Sequence, residues 1–226
     1  MTVRFLLLMP WGRVGSNLVF DILRQSARMK LANESLNALK TWPEQQAWFA
    51  QFYETARPAT EHGFIGSKQN MLAVRDDRTF ASLCREAGVR IVRLRRASIL
   101  KAAVSQMRAE QHARTTGSWA VKRGGAVPGP SAIEPELLLK RLKMMEDCDR
   151  RLTALFAAEE TLDIAYEELN AALDTAIARV RAYLGVPQTP YKVPFDKATP
   201  DRLEEAIVNL DAVRAALKGT RYEGEI

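Results

Sequence analysis

Gly12, Arg13, Gly15, Ser16 and Asn17 are residues of the types, at the spacing, that can hold an anion. Two glycines permit a backbone tight enough for amide N–H groups to converge on one oxygen. Ser16 and Asn17 add side-chain donors, and Arg13 supplies a fixed positive charge. The chemistry such a turn serves is phosphate binding at a helix N-terminus. It needs a strand before it and a helix after it. Residues 5–9 form a continuous apolar run, as expected of a strand buried on both faces, and Leu18, Val19, Ile22 and Leu23 recur at helical spacing. The turn has neither the Gly-Lys-Ser/Thr of a Walker A loop nor Gly-x-Gly-x-x-Gly, which disfavours ATP and NAD.

Farther along, residues 63–68 read as a short strand ending in Lys68, and residues 79–87 as a helix closed by Gly88. Val89-Arg-Ile-Val-Arg-Leu94 reads as a strand that ends in Arg95 and Arg96. Ser98 is the expected N-cap of a helix over 99–110, with Leu100, Ala103, Val104 and Met107 on one face. Strands alternating with helices predict an α/β fold with a parallel sheet covered on both sides. In such sheets ligands bind beyond the carboxyl ends of the strands, where Arg13, Lys68 and the Arg95-Arg96 pair would fall. Arg93, Arg95 and Arg96 alternate across a strand and cannot all touch one phosphate, so some of them are surface or structural ion-pair residues.

Composition narrows the function classes. The 226 residues suffice for one sizeable core, and no linker divides them, so a single domain over 1–226 is expected. A net charge of +6 suits a phosphate-bearing partner. No zinc-finger spacing, RNA-binding aromatic signature or aromatic interleaving accompanies the basic cluster, so a bound nucleotide is the narrower reading and nucleic acid is not expected. Cys84 and Cys148 lie in helical contexts and suggest no disulfide framework or thiolate metal site. Two histidines, His62 and His112, give no support to a histidine metal centre or a Ser-His-Asp triad. The apolar run is broken by Pro10, short of the ~20 residues of a membrane span, and no cleavage site follows. A cytoplasmic protein without stable membrane insertion is expected.

Residues 121–135 are rich in Gly and Pro and carry no periodicity, which predicts a mobile loop. Leu138, Leu142, Met145, Leu152, Leu155 and Phe156 fall largely on one helical face, expected to cover the sheet. Residues 162–165 read as a strand, Thr199-Pro200-Asp201 as a helix start and Gly219 as its stop.

The pattern Pro10-x-x-Arg13-x-Gly15-Ser16 after a first strand resembles the 5′-phosphosulfate loop of sulfotransferases that use PAPS (3′-phosphoadenosine 5′-phosphosulfate). Val14 stands where that family usually has Thr or Ser, which removes one hydroxyl contact and leaves the backbone cradle. The run from Val92 through Arg96 and Ser105 to Ala109 resembles the family's 3′-phosphate motif. Arg114-Thr-Thr-Gly-Ser-Trp119, Ile164-Ala-Tyr-Glu-Glu-Leu169 and Leu217-Lys-Gly-Thr-Arg-Tyr222 are similar to the bacterial Stf0-like branch of carbohydrate sulfotransferases. Together the motifs run from the first strand to the last residues.

The resemblance implies a P-loop-NTPase-like three-layer fold with a central, mostly parallel sheet flanked by helices. It implies PAPS as donor, no metal, and a hydroxyl of a carbohydrate or glycolipid as acceptor. The donor would be held by Arg13, Gly15, Ser16, Asn17, Arg96 and Ser105. Arg13 would neutralise charge developing on the bridging oxygen, with Lys68 as a second donor. Leu31-Ala-Asn-Glu-Ser-Leu-Asn37 resembles the segment whose glutamate lies near the acceptor, so Glu34 would take the acceptor proton. The 121–135 loop would close over the acceptor, or else serve as a connector.

Taken without the resemblance, Glu34 reads as a solvated surface carboxylate, Ser105 as an ordinary helical serine, and Lys68 as a cation snorkelling at a strand end. Trp119 reads equally as a packing anchor or a sugar platform. Tyr166, Glu167 and Glu168 read as organising structure after their strand. The rival functions are a nucleotide-dependent phosphotransferase, which would want Mg2+ and a Walker lysine, and a non-catalytic nucleotide-binding module.

Overall fold

A computed structural model describes residues 2–26, 29–54, 63–119, 121, 123–156, 161–195 and 199–226. His62 and Lys122 lie outside these. The chain divides into two compact units, the first comprising Met1–Ala97 and Cys148–Lys192, the second Ser98–Asp147 and Val193–Ile226.

The first unit holds the sheet. The N-terminal apolar run forms β1 (Val3–Met9), where Phe5, Leu6, Leu7 and Leu8 are fully buried. Burial of each such side chain is worth about 1.5–3 kcal/mol, which is why this strand takes the centre of the sheet. On one side β1 pairs in parallel with β3 (Phe64–Asn70) and on the other with β4 (Arg90–Arg95). β2 (Met29–Asn33) adds to β3 and β5 (Thr161–Ala165) to β4, giving five strands in the order β2-β3-β1-β4-β5, all parallel. A Cβ on Gly66 would lie 2.1 Å from the Phe5 ring, so the glycine is what lets that ring cross the pairing of β1 with β3.

The helices that lie wholly in this unit are α1 (Ser16–Arg24), α2 (Trp42–Phe49), α3 (Asp77–Glu86), and, after the last strand, α6 (Tyr166–Ala171) and α7 (Leu173–Leu184). Thr41 and Glu44 form a capping box at the start of α2. The chain leaves β1 toward β2 on one side and crosses after β3 to β4 on the other, so the sheet's switch point lies between β1 and β4. Arg93 and Asp163 face each other in the β4–β5 register, with bidentate contacts of 2.5 and 2.8 Å, and Arg93 also donates to the Phe156 carbonyl at 2.7 Å. Arg95 pairs with Asp149 at 2.6 and 3.0 Å. Of the surface and structural ion-pair roles expected for some of these arginines, Arg93 and Arg95 take the ion-paired one.

The second unit contains α4 (Ile99–Thr116) and α8 (Leu210–Leu217), and α5 (Pro135–Leu155) begins in it and ends in the first. Ser98 caps α4 by accepting from the Lys101 amide at 3.1 Å, and the helix runs past Glu110 to Thr116. Leu138, Leu142, Met145, Leu152 and Phe156 are buried as expected, whereas Leu155 is half-buried. Arg108 donates to the carbonyls of Ala206 (2.6 Å) and Pro128 (3.0 Å), and Ser131 bridges Ile207, which ties the later part of the 121–135 segment to the chain beyond residue 199. That bridge also corrects one expectation. No α-helix starts at Thr199-Pro200-Asp201. The chain makes a 3-10 turn at Leu203–Glu205 and spends the following backbone groups on Ser131, so α8 begins only at Leu210, with Gly219 beyond its end. No described helix is long and apolar enough to cross a membrane.

Candidate active site

Four strand ends of the first unit deliver polar side chains. The turn after β1 places Arg13 in the left-handed region at φ 67°, followed by Val14, which is fully buried, and Gly15 at φ 79°, the N-cap residue of α1. Val14 thus occupies a core position, which accounts for an aliphatic side chain where a hydroxyl was the expected type. Ser16 is buried in the first turn of α1 and Asn17 is exposed. The free N–H groups of this helix start and its dipole favour an anion there.

Arg96, just beyond β4, reaches the same turn. Its Nη1 donates to the Arg13 carbonyl at 3.3 Å, and its guanidinium carbon stands 4.3 Å from the centroid of the Tyr166 ring. Burial holds the pKa of Arg13 below that of an ordinary arginine, and the charge of Arg96 acts in the same direction against an opposing effect from Tyr166. Two guanidinium groups so placed are stabilised by an incoming phosphate, which offsets both their desolvation and their mutual repulsion.

A second cluster adjoins α1. Asn33 pairs with Lys68 in the β2–β3 register, so Glu34 is the next residue after that pair, and its amide donates to the Lys68 carbonyl at 2.7 Å. Lys68 is 1% exposed; its ammonium lies 2.9 Å from Glu34 Oε1 and donates to Asn17 Oδ1. Glu34 Oε2 accepts from Asn37 Nδ2 at 2.9 Å and from Asn70 Nδ2 at 3.1 Å. Burial acts to raise the Glu34 pKa, but the Lys68 charge and the hydrogen bonds from Lys68, Asn37 and Asn70 outweigh it and hold the carboxyl below its ordinary value. Glu34 is therefore an ion-paired carboxylate held in place, not a freely solvated one.

Among the described residues, Arg13 and Glu34 are the two non-glycine residues with positive φ, at 67° and 49°. Each costs about 1–2 kcal/mol relative to an ordinary conformation, strain of the kind that persists where surrounding contacts over-determine the backbone. Of the residues singled out in the sequence, Arg13, Gly15, Ser16, Asn17, Glu34, Lys68 and Arg96 belong to the first unit. Ser105 belongs to α4 of the second, where its buried hydroxyl accepts from Thr199 Oγ1 at 3.2 Å. Trp119 is 55% exposed, which is not the burial of a packing anchor. The sequence reading left Tyr166, Asn37 and Asn70 out of the site. Only the pairing of β2 with β3 and the position of α6 after β5 bring them to it.

Among the solved structures that this chain resembles is a sulfotransferase from Alicyclobacillus acidocaldarius, with a TM-score of 0.52 at 16% identity, over 96% of this chain and 94% of that one. The likeness is one of fold. No protein-family model and no curated protein sequence matches the chain. In this fold, the turn after β1 and the end of β4 flank the sheet's switch point, the place where open parallel sheets bind their ligands.

Proposed function

We propose that the protein is a sulfotransferase that moves the sulfuryl group of PAPS to a hydroxyl of a carbohydrate or glycolipid. The observation that carries this reading is the convergence of Arg13 and Arg96 on one helix start at the switch point of a sulfotransferase fold. PAPS supplies an activated sulfuryl group whose leaving oxygen belongs to a phosphate. The turn at Arg13, Gly15, Ser16 and Asn17 suits its 5′-phosphate, with the Arg13 guanidinium countering the negative charge that develops on the bridging oxygen as the S–O bond breaks. Arg96 meets the 3′-phosphate, a dianionic group that ATP and AMP lack at that position.

Glu34 accepts the proton of the acceptor hydroxyl as its oxygen bonds to sulfur. A carboxylate below its ordinary pKa is a modest base, but it is ionised at neutral pH and fixed in direction by Asn37 and Asn70. Lys68, satisfied by Glu34 and Asn17, joins the donor turn to the base and holds the two in register. The acceptor class rests on the motifs similar to the bacterial carbohydrate branch.

The experiment is transfer from radiolabelled PAPS to a panel of sugars and glycolipids, with Glu34→Gln alongside. Label should pass to at least one hydroxylated acceptor, and Glu34→Gln should lower the rate by about 10²–10⁴-fold while sparing donor binding. Tight binding of PAP, the desulfated donor product, without transfer to any acceptor would favour a non-catalytic nucleotide-binding module instead.

A further inference from the structure

The short helix after β5 touches both halves of the cationic turn. Tyr166, its first residue, lies with its ring centroid 4.3 Å from the Arg96 guanidinium carbon. A Cβ on Gly15 would stand 3.4 Å from Tyr166 Cδ2 and 2.7 Å from Leu169 Cδ1, so the same helix packs on the donor turn. Glu167 Oε2 accepts from the amide of Ala97, the residue that follows Arg96, at 3.1 Å. Glu168 turns inward to the Ala165 amide and pairs with Arg179, which fixes the helix start to β5 and α7. One six-residue helix thus meets the Arg96 side chain, the backbone just after it and the backbone of the phosphate turn.

We propose that Tyr166 is a positioning residue for the donor: its ring carries the Arg96 guanidinium flat, with its N–H edge presented to the 3′-phosphate, while α6 sets the distance between Arg96 and the turn at Arg13. An arginine on an aromatic face keeps its in-plane donors available, because the contact uses the ring's quadrupole and not a hydrogen bond. The ring and not the hydroxyl is the working part. This inference rests on the reading that Arg96 meets the 3′-phosphate.

The test is calorimetric titration of the full chain and its Y166F and Y166L variants with PAP, which has a 3′-phosphate, and with AMP, which has none. Y166L should weaken PAP binding about tenfold, the loss of one desolvated cation–π contact. AMP affinity should stay within about twofold, and Y166F should match the native protein for both ligands within the same margin. Native PAP affinity in Y166L overturns the proposal. So does an equal loss of PAP and AMP, which would place the damage in the turn, and so does a Y166F defect as large as that of Y166L, which would make the hydroxyl the working group. Should Y166L not fold, Y166M removes the ring but keeps a longer, more adaptable side chain and is read in the same way. Failure of the native protein to bind PAP at all would remove the reading of Arg96 itself, a result separable from every variant effect.

Discussion

Replacing Gly15 by alanine perturbs the donor turn in two ways that can be estimated separately. At φ 79° an alanine sits in the left-handed region, at a cost of about 1 kcal/mol. Its methyl would also stand 2.7 Å from Leu169 Cδ1, closer than side chains approach. Overpacking of this kind costs about 1–3 kcal/mol, and the low end applies because the obstructing atom is the tip of a side chain that can swing. G15A should therefore lose about 2–3 kcal/mol of stability, read as a lower urea midpoint with an unchanged slope. The crowding part can be isolated. Leu169→Ala costs about 2–5 kcal/mol by itself, since Leu169 is 3% exposed. In that background G15A should cost only its backbone share, leaving a coupling of about 1–2 kcal/mol in the double-mutant cycle. A G15A loss below about 0.5 kcal/mol would refute the estimate, and zero coupling would show that α6 does not press on the turn.

The two arginines near the end of β4 should behave oppositely. Arg93→Met leaves Asp163 and the Phe156 carbonyl without their donor and should cost about 2 kcal/mol in urea unfolding, discounted because Asp163 is half exposed, while PAP affinity of the folded protein stays unchanged. Arg96→Ala should change stability little and remove PAP binding. For Glu34 the sign follows from its depressed pKa. The ion pair with Lys68 contributes fully above the carboxyl's ordinary value of 4.5 and is lost as pH falls through the lower folded value. The stability gap between the native protein and Glu34→Gln should therefore be flat at neutral pH and close on acidification, as followed by urea midpoints from pH 7 to pH 3; a gap that widened in acid would contradict the pairing.

The elements around the donor turn were legible because their signals are local. An unbroken apolar run specifies a strand buried on both faces, two glycines mark the turn, and Ser98 caps the helix after β4 through its own side chain. β2 was not legible: Met29–Asn33 is a half-buried edge strand without an apolar run, so nothing in its composition separates it from a loop. α2 carried a readable start in Thr41, Pro43 and Glu44 that the sequence reading passed over. The helix placed at Pro200 failed because a favourable start residue says nothing about the long-range bridge to Ser131. Site chemistry divides along the same line. Arg13 and the Arg95-Arg96 pair could be picked by type and position at strand ends, whereas the choice of Arg96 came from the motif resemblance, and alternation said that the three arginines of β4 could not share one phosphate without saying which of them form ion pairs. The Glu34–Lys68 pair depends on register between strands 34 residues apart in sequence, and Tyr166 beneath Arg96 on a contact across 70 residues, as the paired numbers show.

On the function proposed above, Arg13 and Arg96 together form the site of a nucleotide bearing both 5′- and 3′-phosphates. Calorimetric titration of the native protein and Arg96→Ala with PAP, against AMP and ATP with Mg2+, tests it most directly. PAP should bind at micromolar affinity, about 8 kcal/mol, in preference to the other nucleotides, and Arg96→Ala should lose that binding. A folded native protein that binds ATP with Mg2+ and not PAP, or that binds PAP equally well without Arg96, would contradict it.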